Sequence, residues 1–118
     1  MEHSDLNRER DAALARAMDA LWQRFLPDIR GRVDLLAAAA RSAAAGALSE
    51  DVRAAAQAAA HKLAGTLGTF GLTRGTVMAR ELEIRLGGDG VGPDEARELM
   101  RTAADLRAIV DNRNERLC

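Results

Sequence analysis

The chain has 118 residues and a mass of 12.7 kDa, which excludes a two-domain enzyme and predicts a single globule with a radius of gyration of about 13 Å. Hydrophobic residues make up 47% and charged residues 30%, with a formal net charge of -1. Because the 17 basic and 18 acidic residues are interspersed along the chain, nucleic acid is not an expected partner. Alanine is the most frequent residue, with 25 copies, and aromatic residues are only 3%. Because alanine is the best helix former, this composition predicts an all-α fold.

Membrane, disulfide and metal sites are not expected. No apolar run approaches the roughly 18 residues of a membrane-spanning helix, and residues 1–10 are too polar for a signal peptide. The single cysteine, Cys118, cannot form an internal disulfide, and two histidines make a zinc site improbable. We therefore expect a cytoplasmic protein with no membrane partner, no nucleic-acid partner, no metal and no cofactor of its own.

The first half of the chain predicts one long amphipathic helical segment. Residues 1–7 carry no pattern, and we expect a flexible N-terminus ahead of a helical domain over residues 8–117. Pro27 interrupts the segment without changing its phase, which predicts either a kinked helix or two abutting helices. Apolar residues recur at steps of three or four up to residue 44, on one predicted face: Leu14, Met18, Leu21, Phe25, Ile29, Val33, Leu36 and Ala40.

Turn and cap signals divide the rest into three more helices. Ser49, followed by two acidic residues, predicts the start of the second helix, Thr73 can cap a third that ends at Gly87, and Pro93 suits the first position of a fourth. The fourth helix has a seam with a spacing near 3.5: Ala96, Leu99, Ala103, Leu106, Val110, Arg113 and Leu117. Short connections favour antiparallel packing, so we predict an up-down-up-down four-helix bundle with an additional N-terminal helical cap.

The second helix carries the residues that indicate function, in the segment QAAAHKLAGTLGTFGL at 57–72. Its larger apolar residues fall on one side, while His61 falls on the other, with Gly65 and Gly68 within about 40° of it. Glycine inside a helix costs roughly 0.5 to 1 kcal/mol relative to alanine, so the glycines predict a low surface that a second molecule approaches. Three more residues are expected to keep this surface low: Gln57, Ala58 and Ala64.

This pattern favours a group carrier over an enzyme with turnover. A neutral imidazole is a competent nucleophile, and Lys62, the only lysine beside 16 arginines, could meet a phosphoryl group as a point charge. Turnover would also require a group that orients His61 and a concave pocket, but the nearest carboxylates along the helix, Glu50 and Asp51, are nearly three turns away. Each of these features taken singly also has a non-functional explanation: His61 could be an ordinary surface histidine, and the glycines could simply allow another helix to pack closely.

The segment AHKLAGTLGTFGL, with ARELE at residues 79–83, resembles the histidine-containing phosphotransfer (HPt) domain of multistep two-component signalling. The resemblance is specific over residues 57–83 and looser over about 20–110. It implies that His61 accepts a phosphoryl group from a receiver-domain aspartate and passes it to another receiver, without kinase activity of its own. The family pattern often has a lysine at the position of Ala64.

The resemblance also implies the partners, which are receiver domains of response regulators or of hybrid histidine kinases. The receiver would supply magnesium and an acidic pocket, and apolar residues near Trp22 could join the docking surface. We expect a monomer. Two alternatives without phosphotransfer stay open: an HPt-shaped module that only binds receivers, and a bundle that self-associates through its last helix.

Overall fold

The computed structural model describes residues 2–88 and 91–116 of the chain. Within them it contains four helices and no strand: α1 (Glu2–Ala44), α2 (Glu50–Thr69), α3 (Thr73–Leu86) and α4 (Pro93–Glu115). Helices α1 and α3 each pack against both α2 and α4, so the four helices form a closed ring around one core. The side-chain contacts between α1 and α4 run antiparallel: Asp19 to Arg113 and Asp34 to Arg107. The predicted all-α, up-down-up-down four-helix bundle is confirmed.

Helix α1 is one continuous element that extends beyond the bundle. Its 43 residues span about 65 Å, which explains the 62 Å long axis and a radius of gyration of 17.1 Å, above the value expected of a globule. All residues from 4 to 17 are exposed, so the predicted N-terminal cap is wrong: good helix formers continue α1 past the bundle end. Pro27 lies inside α1, which excludes two abutting helices, and α1 begins at Glu2 rather than near residue 8.

The core consists mainly of small and branched aliphatic side chains. Ten of its residues are alanines and eight are leucines, and no polar or charged side chain is buried among the described residues. On α1 the predicted face is only partly correct. Ile29, Val33, Leu36 and Ala40 are buried, whereas Leu14 lies beyond the other helices and Phe25 is 42% exposed at the edge of α2. Trp22 is fully buried instead, with its ring against Phe70.

Most of the predicted helix ends are found in the structure. The Val52 N–H donates to the Ser49 side chain at 3.2 Å, Pro93 opens α4, and Gly87 ends α3. Thr73 is not a cap: it is the first residue of α3, after Leu72, and no side chain caps this end. The predicted apolar seam of α4 is buried from Ala96 to Val110, while Leu117 lies outside the described residues.

No helix in the described part of the chain is long and apolar enough to cross a bilayer.

A tight turn reverses the chain between α2 and α3. Gly71 has a φ of 70°, a left-handed conformation that favours glycine, and its N–H donates to the Gly68 carbonyl at 3.0 Å. The Leu72 N–H donates to the Leu67 carbonyl at 3.0 Å, which completes a Schellman motif. Because the turn is so short, α3 returns directly alongside α2 and brings its side chains next to His61.

Candidate functional site

His61 lies near the middle of α2 on the side that faces away from the core. Its side chain is 71% exposed, while the opposite side of the same helix is buried from Ala56 to Leu67. This is the orientation that the apolar periodicity predicts. Since the ring is anchored on a regular helix, its position is set by the backbone rather than by a loop.

A carboxylate from α3 contacts His61, although no carboxylate lies near His61 along α2. Glu83 of α3 places Oε2 at 2.7 Å from Nδ1 of His61, and the Glu83 side chain is only 26% exposed. The expectation that no group orients the histidine is therefore wrong. The missed signal was the ARELE segment: with α3 antiparallel to α2 after a short turn, a residue on the α2-facing edge of α3 must lie beside His61.

The contact with Glu83 determines which ring nitrogen is available for chemistry. A carboxylate accepts a hydrogen bond, so Nδ1 carries the proton, and in the neutral ring the lone pair is on Nε2. Nε2 makes no hydrogen bond to any described residue. The arrangement therefore presents one nucleophilic nitrogen to solvent, with a negative charge behind the ring that stabilises a positive charge developing on it.

The surface around His61 is low. Gly65 is exposed, and a Cβ built at this position would meet nothing within 4 Å. Ala58 and Lys62 are also exposed, and Gly68 is exposed beside Thr76 of α3, whose hydroxyl would be 3.5 Å from an added Cβ. The small residues Ala58, Gly65 and Gly68 therefore keep the exposed side of α2 low over more than two turns, with open space at Gly65.

Two of the residues expected on this surface lie elsewhere. Ala64 is only 2% exposed, so its placement on the approach surface is wrong: its Cβ points into the packing between α2 and α3, where Thr76 Oγ1 donates to the Ala64 carbonyl at 3.2 Å. Gln57 is half-buried and accepts a hydrogen bond from Arg53 at 3.1 Å, beside the end of α3. Gln57 therefore contributes to the contact between the two helices more than to an open surface.

A separate cavity of about 680 Å³ lies at the turn between α2 and α3 and against the end of α4. Its lining includes Leu72, Arg74 and Ile109 but not His61. The exposed imidazole is thus not part of this small-molecule-sized hollow. A large partner with a concave surface fits the histidine better than a small substrate in that cavity.

Comparison with known proteins shows which family the sequence matches. The sequence matches the Hpt domain family over residues 20–114. It is also 39% identical over 96 residues to Protein RcaC from Microchaete diplosiphon, and the matching region covers 80% of this chain. The chain spans only about 15% of the length of that relative. No solved structure shows significant similarity to the chain.

Proposed function

Since the chain belongs to the Hpt domain family, whose members are phosphocarriers rather than kinases, we propose that it relays a phosphoryl group between receiver domains through His61. The observation that carries this proposal is the geometry of one ring. His61 is exposed on a low helical surface, Glu83 is bound to Nδ1, and Nε2 has no partner among the described residues.

In the accepting step, Nε2 attacks the phosphorus of an aspartyl phosphate on a receiver domain. The Nε2–P bond forms while the P–O bond to the aspartate breaks, and the aspartate carboxylate leaves with the electron pair. Nε2 carries no proton in this tautomer, so none has to be removed. The Nδ1 proton stays hydrogen-bonded to Glu83, whose charge offsets the positive charge gained by the ring. The reverse step transfers the phosphoryl group to the aspartate of a second receiver.

The residues that surround His61 indicate which groups this chain supplies and which the receiver must supply. Phosphoryl transfer depends mainly on positioning and on neutralising the phosphoryl oxygens, and the receiver would bring the magnesium ion and the acidic pocket for this. This chain supplies the nucleophile and Lys62, an exposed cation next to it. We propose that the chain needs no cofactor of its own and has no kinase activity.

The docking surface extends from His61 along α2 towards α1. Gly65, Gly68 and Ala58 leave room for the loops of the partner. Phe25 of α1 is 42% exposed and lies against Phe70 with ring centroids 6.4 Å apart. Phe70 is about 13 Å from His61 along the axis of α2. An exposed aromatic ring at this distance would give the interface an apolar anchor. We propose that Phe25, rather than the buried Trp22, fills this role.

The partners proposed are receiver domains of response regulators or of hybrid histidine kinases, met in the cytoplasm by a monomer. The chain is similar to about 15% of the length of RcaC.

The test uses purified receiver domains carrying a ³²P-labelled aspartyl phosphate. The wild-type chain is expected to acquire a label that is stable to base and labile to acid, and His61→Gln is expected to remain unlabelled. His3→Gln removes the only other histidine and serves as the matched control, which should be labelled like the wild type. An unchanged label in His61→Gln would overturn the proposal.

Two further outcomes identify the alternatives. If the wild type binds a receiver without acquiring label, and His61→Gln binds equally well, the chain is a binding module without chemistry. If light scattering shows a concentration-dependent oligomer that Leu106→Asp abolishes, the buried seam of α4 serves self-association. Either result would replace the relay with a different function.

A further inference from the structure

One edge of α3 faces α2 along its whole length. Thr76, Arg80, Glu83 and Gly87 lie at steps of four, three and four residues, which places them in one row on the helix. Three of the four contact α2. Thr76 donates to the Ala64 carbonyl at 3.2 Å, Glu83 contacts His61 at 2.7 Å, and Gly87 lies against the side chain of Gln57.

Arg80 is the fourth member of this row. Arg80 is exposed and precedes Glu83 by three residues. Side chains three residues apart are neighbours on the surface of a helix. Because α2 and α3 are antiparallel, the contacts of Thr76 and Glu83 bracket Arg80 and place it level with Ala64 and Gly65. The side chain of Arg80 therefore starts from α3 about one turn of α2 away from His61, on the side of Ala64.

Arg80 has no partner among the described residues, whereas many arginines of the bundle are paired. Seven of the 16 arginines form ion pairs, including Arg85, which lies on the same helix as Arg80 and pairs with Glu81. Arg80 makes no hydrogen bond or ion pair to any residue within 2–88 or 91–116. Its guanidinium is thus available to an incoming anion.

The charges around His61 create a need for such a cation. A phosphoryl group on Nε2 carries about two negative charges and lies next to the Glu83 carboxylate, which repels it. The next turn of α2 offers no compensation, because Ala64 is apolar and only 2% exposed. Lys62 is a single point charge about 100° round the helix from His61, on the side away from α3.

We propose that Arg80 binds the phosphoryl group carried by His61, donating guanidinium N–H groups to its non-bridging oxygens from the side of α3. This inference rests on the relay function proposed above. The covalent step is unchanged: Nε2–P forms as the P–O bond to aspartate breaks, and no proton is transferred. Arg80 lowers the energy of the phosphorylated chain and of the transfer, because a planar fork matches a tetrahedral phosphate better than an ammonium does.

The experiment measures phosphoryl exchange between one purified receiver domain and three variants of the full chain: Arg80→Gln, Arg80→Lys and Arg74→Gln. Arg74→Gln is the matched control, because Arg74 is an exposed arginine of the same helix that lines the cavity away from His61. Circular dichroism melting curves that overlay on the wild type establish that each variant is folded.

For Arg80→Gln we expect the equilibrium to shift about tenfold towards the phosphorylated receiver. The first-order transfer rate at saturating receiver should also fall about tenfold. This is the effect expected from the loss of one hydrogen bond to a charged group. Arg80→Lys should restore part of both, and Arg74→Gln should match the wild type. The apparent affinity for the receiver should change by less than about twofold, since Arg80 contacts the phosphoryl group and not the protein partner.

Chemical phosphorylation with phosphoramidate separates the two proposals, because it needs no receiver: the P–N bond of the donor breaks and ammonia leaves as Nε2–P forms. If the wild type is labelled on His61 and exchanges with the receiver, but Arg80→Gln has the same equilibrium and first-order rate, the Arg80 proposal is overturned and the relay stands. A loss confined to receiver affinity overturns it as well. If neither donor labels His61 in the wild type, the relay itself fails.

Discussion

Both sides of α2 are rich in small residues, but these residues have different roles on the two sides. On the buried side, Ala60 and Ala64 let α1 and α3 approach closely around Leu63 and Leu67, which are completely buried. On the exposed side, Ala58 and Gly65 have no such neighbours, and the open space leads to His61. A small side chain therefore has a packing role where helices meet and an access role where none does.

The largest effect is expected on the buried side. Leu63→Ala should lower the free energy of unfolding by about 2 to 5 kcal/mol, because it leaves a cavity in a core with few large side chains. Lys62→Ala, one residue away on the exposed side, should change it by less than about 0.5 kcal/mol. Urea unfolding followed by circular dichroism measures both. Equal losses in the two variants would contradict the division of α2 into two sides.

The second effect concerns the contact that joins the exposed side to α3. Glu83→Gln keeps a hydrogen-bond acceptor for Nδ1 but removes the negative charge, so we expect phosphotransfer to slow by about tenfold with little change in stability. Glu81→Gln is the matched control, because Glu81 pairs with Arg85 away from His61. Single-turnover transfer from a phosphorylated receiver is the measurement. Equal rates in the two variants would show that Glu83 has no role in the chemistry.

A smaller effect, opposite in sign, is expected at Gly65. A leucine there would meet no atom at its Cβ and would favour the helix, so Gly65→Leu should stabilise the fold by up to about 1 kcal/mol while slowing transfer from a receiver. Labelling by phosphoramidate, a small donor, should be unaffected. Gly31→Leu in α1 is the control, since Gly31 also has open space. Transfer at the wild-type rate in Gly65→Leu would refute the docking role of the low surface.

The smallest effect is expected at the start of α2. The hydrogen bond from Arg53 lowers the pKa of the Glu50 carboxyl below 4.5, so the ionised form is favoured in the folded state. The stability from this pair is present above pH 4.5 and is lost as the pH falls through the lowered pKa of the folded protein. The wild type should therefore exceed Glu50→Gln in urea midpoint at neutral pH, and the gap should close in acid. A gap that widens in acid would be the contrary result.

The exposed position of His61 could be predicted from the sequence, but the contact of its ring with Glu83 could not. The outward direction of His61 follows from a 100° rotation per residue, which any regular helix obeys. Glu83 is 22 residues from His61, and their contact depends on how far α3 slides along α2. That register is set by the Schellman turn at Gly71 and by packing such as Thr76 against Ala64, neither of which periodicity reports.

The amino-acid sequence alone determined the helices of the bundle, the Ser49 and Pro93 starts, the buried seam of α4 and the side of α2 on which His61 lies. These features depend on interactions within a few residues, where propensity, capping and helical periodicity operate. Only the tertiary structure decided that Glu83 orients the ring, that Ala64 is buried, and that Trp22 rather than Phe25 lies in the core. Each of these depends on which helix surface is covered by another, and that is a property of the assembled packing.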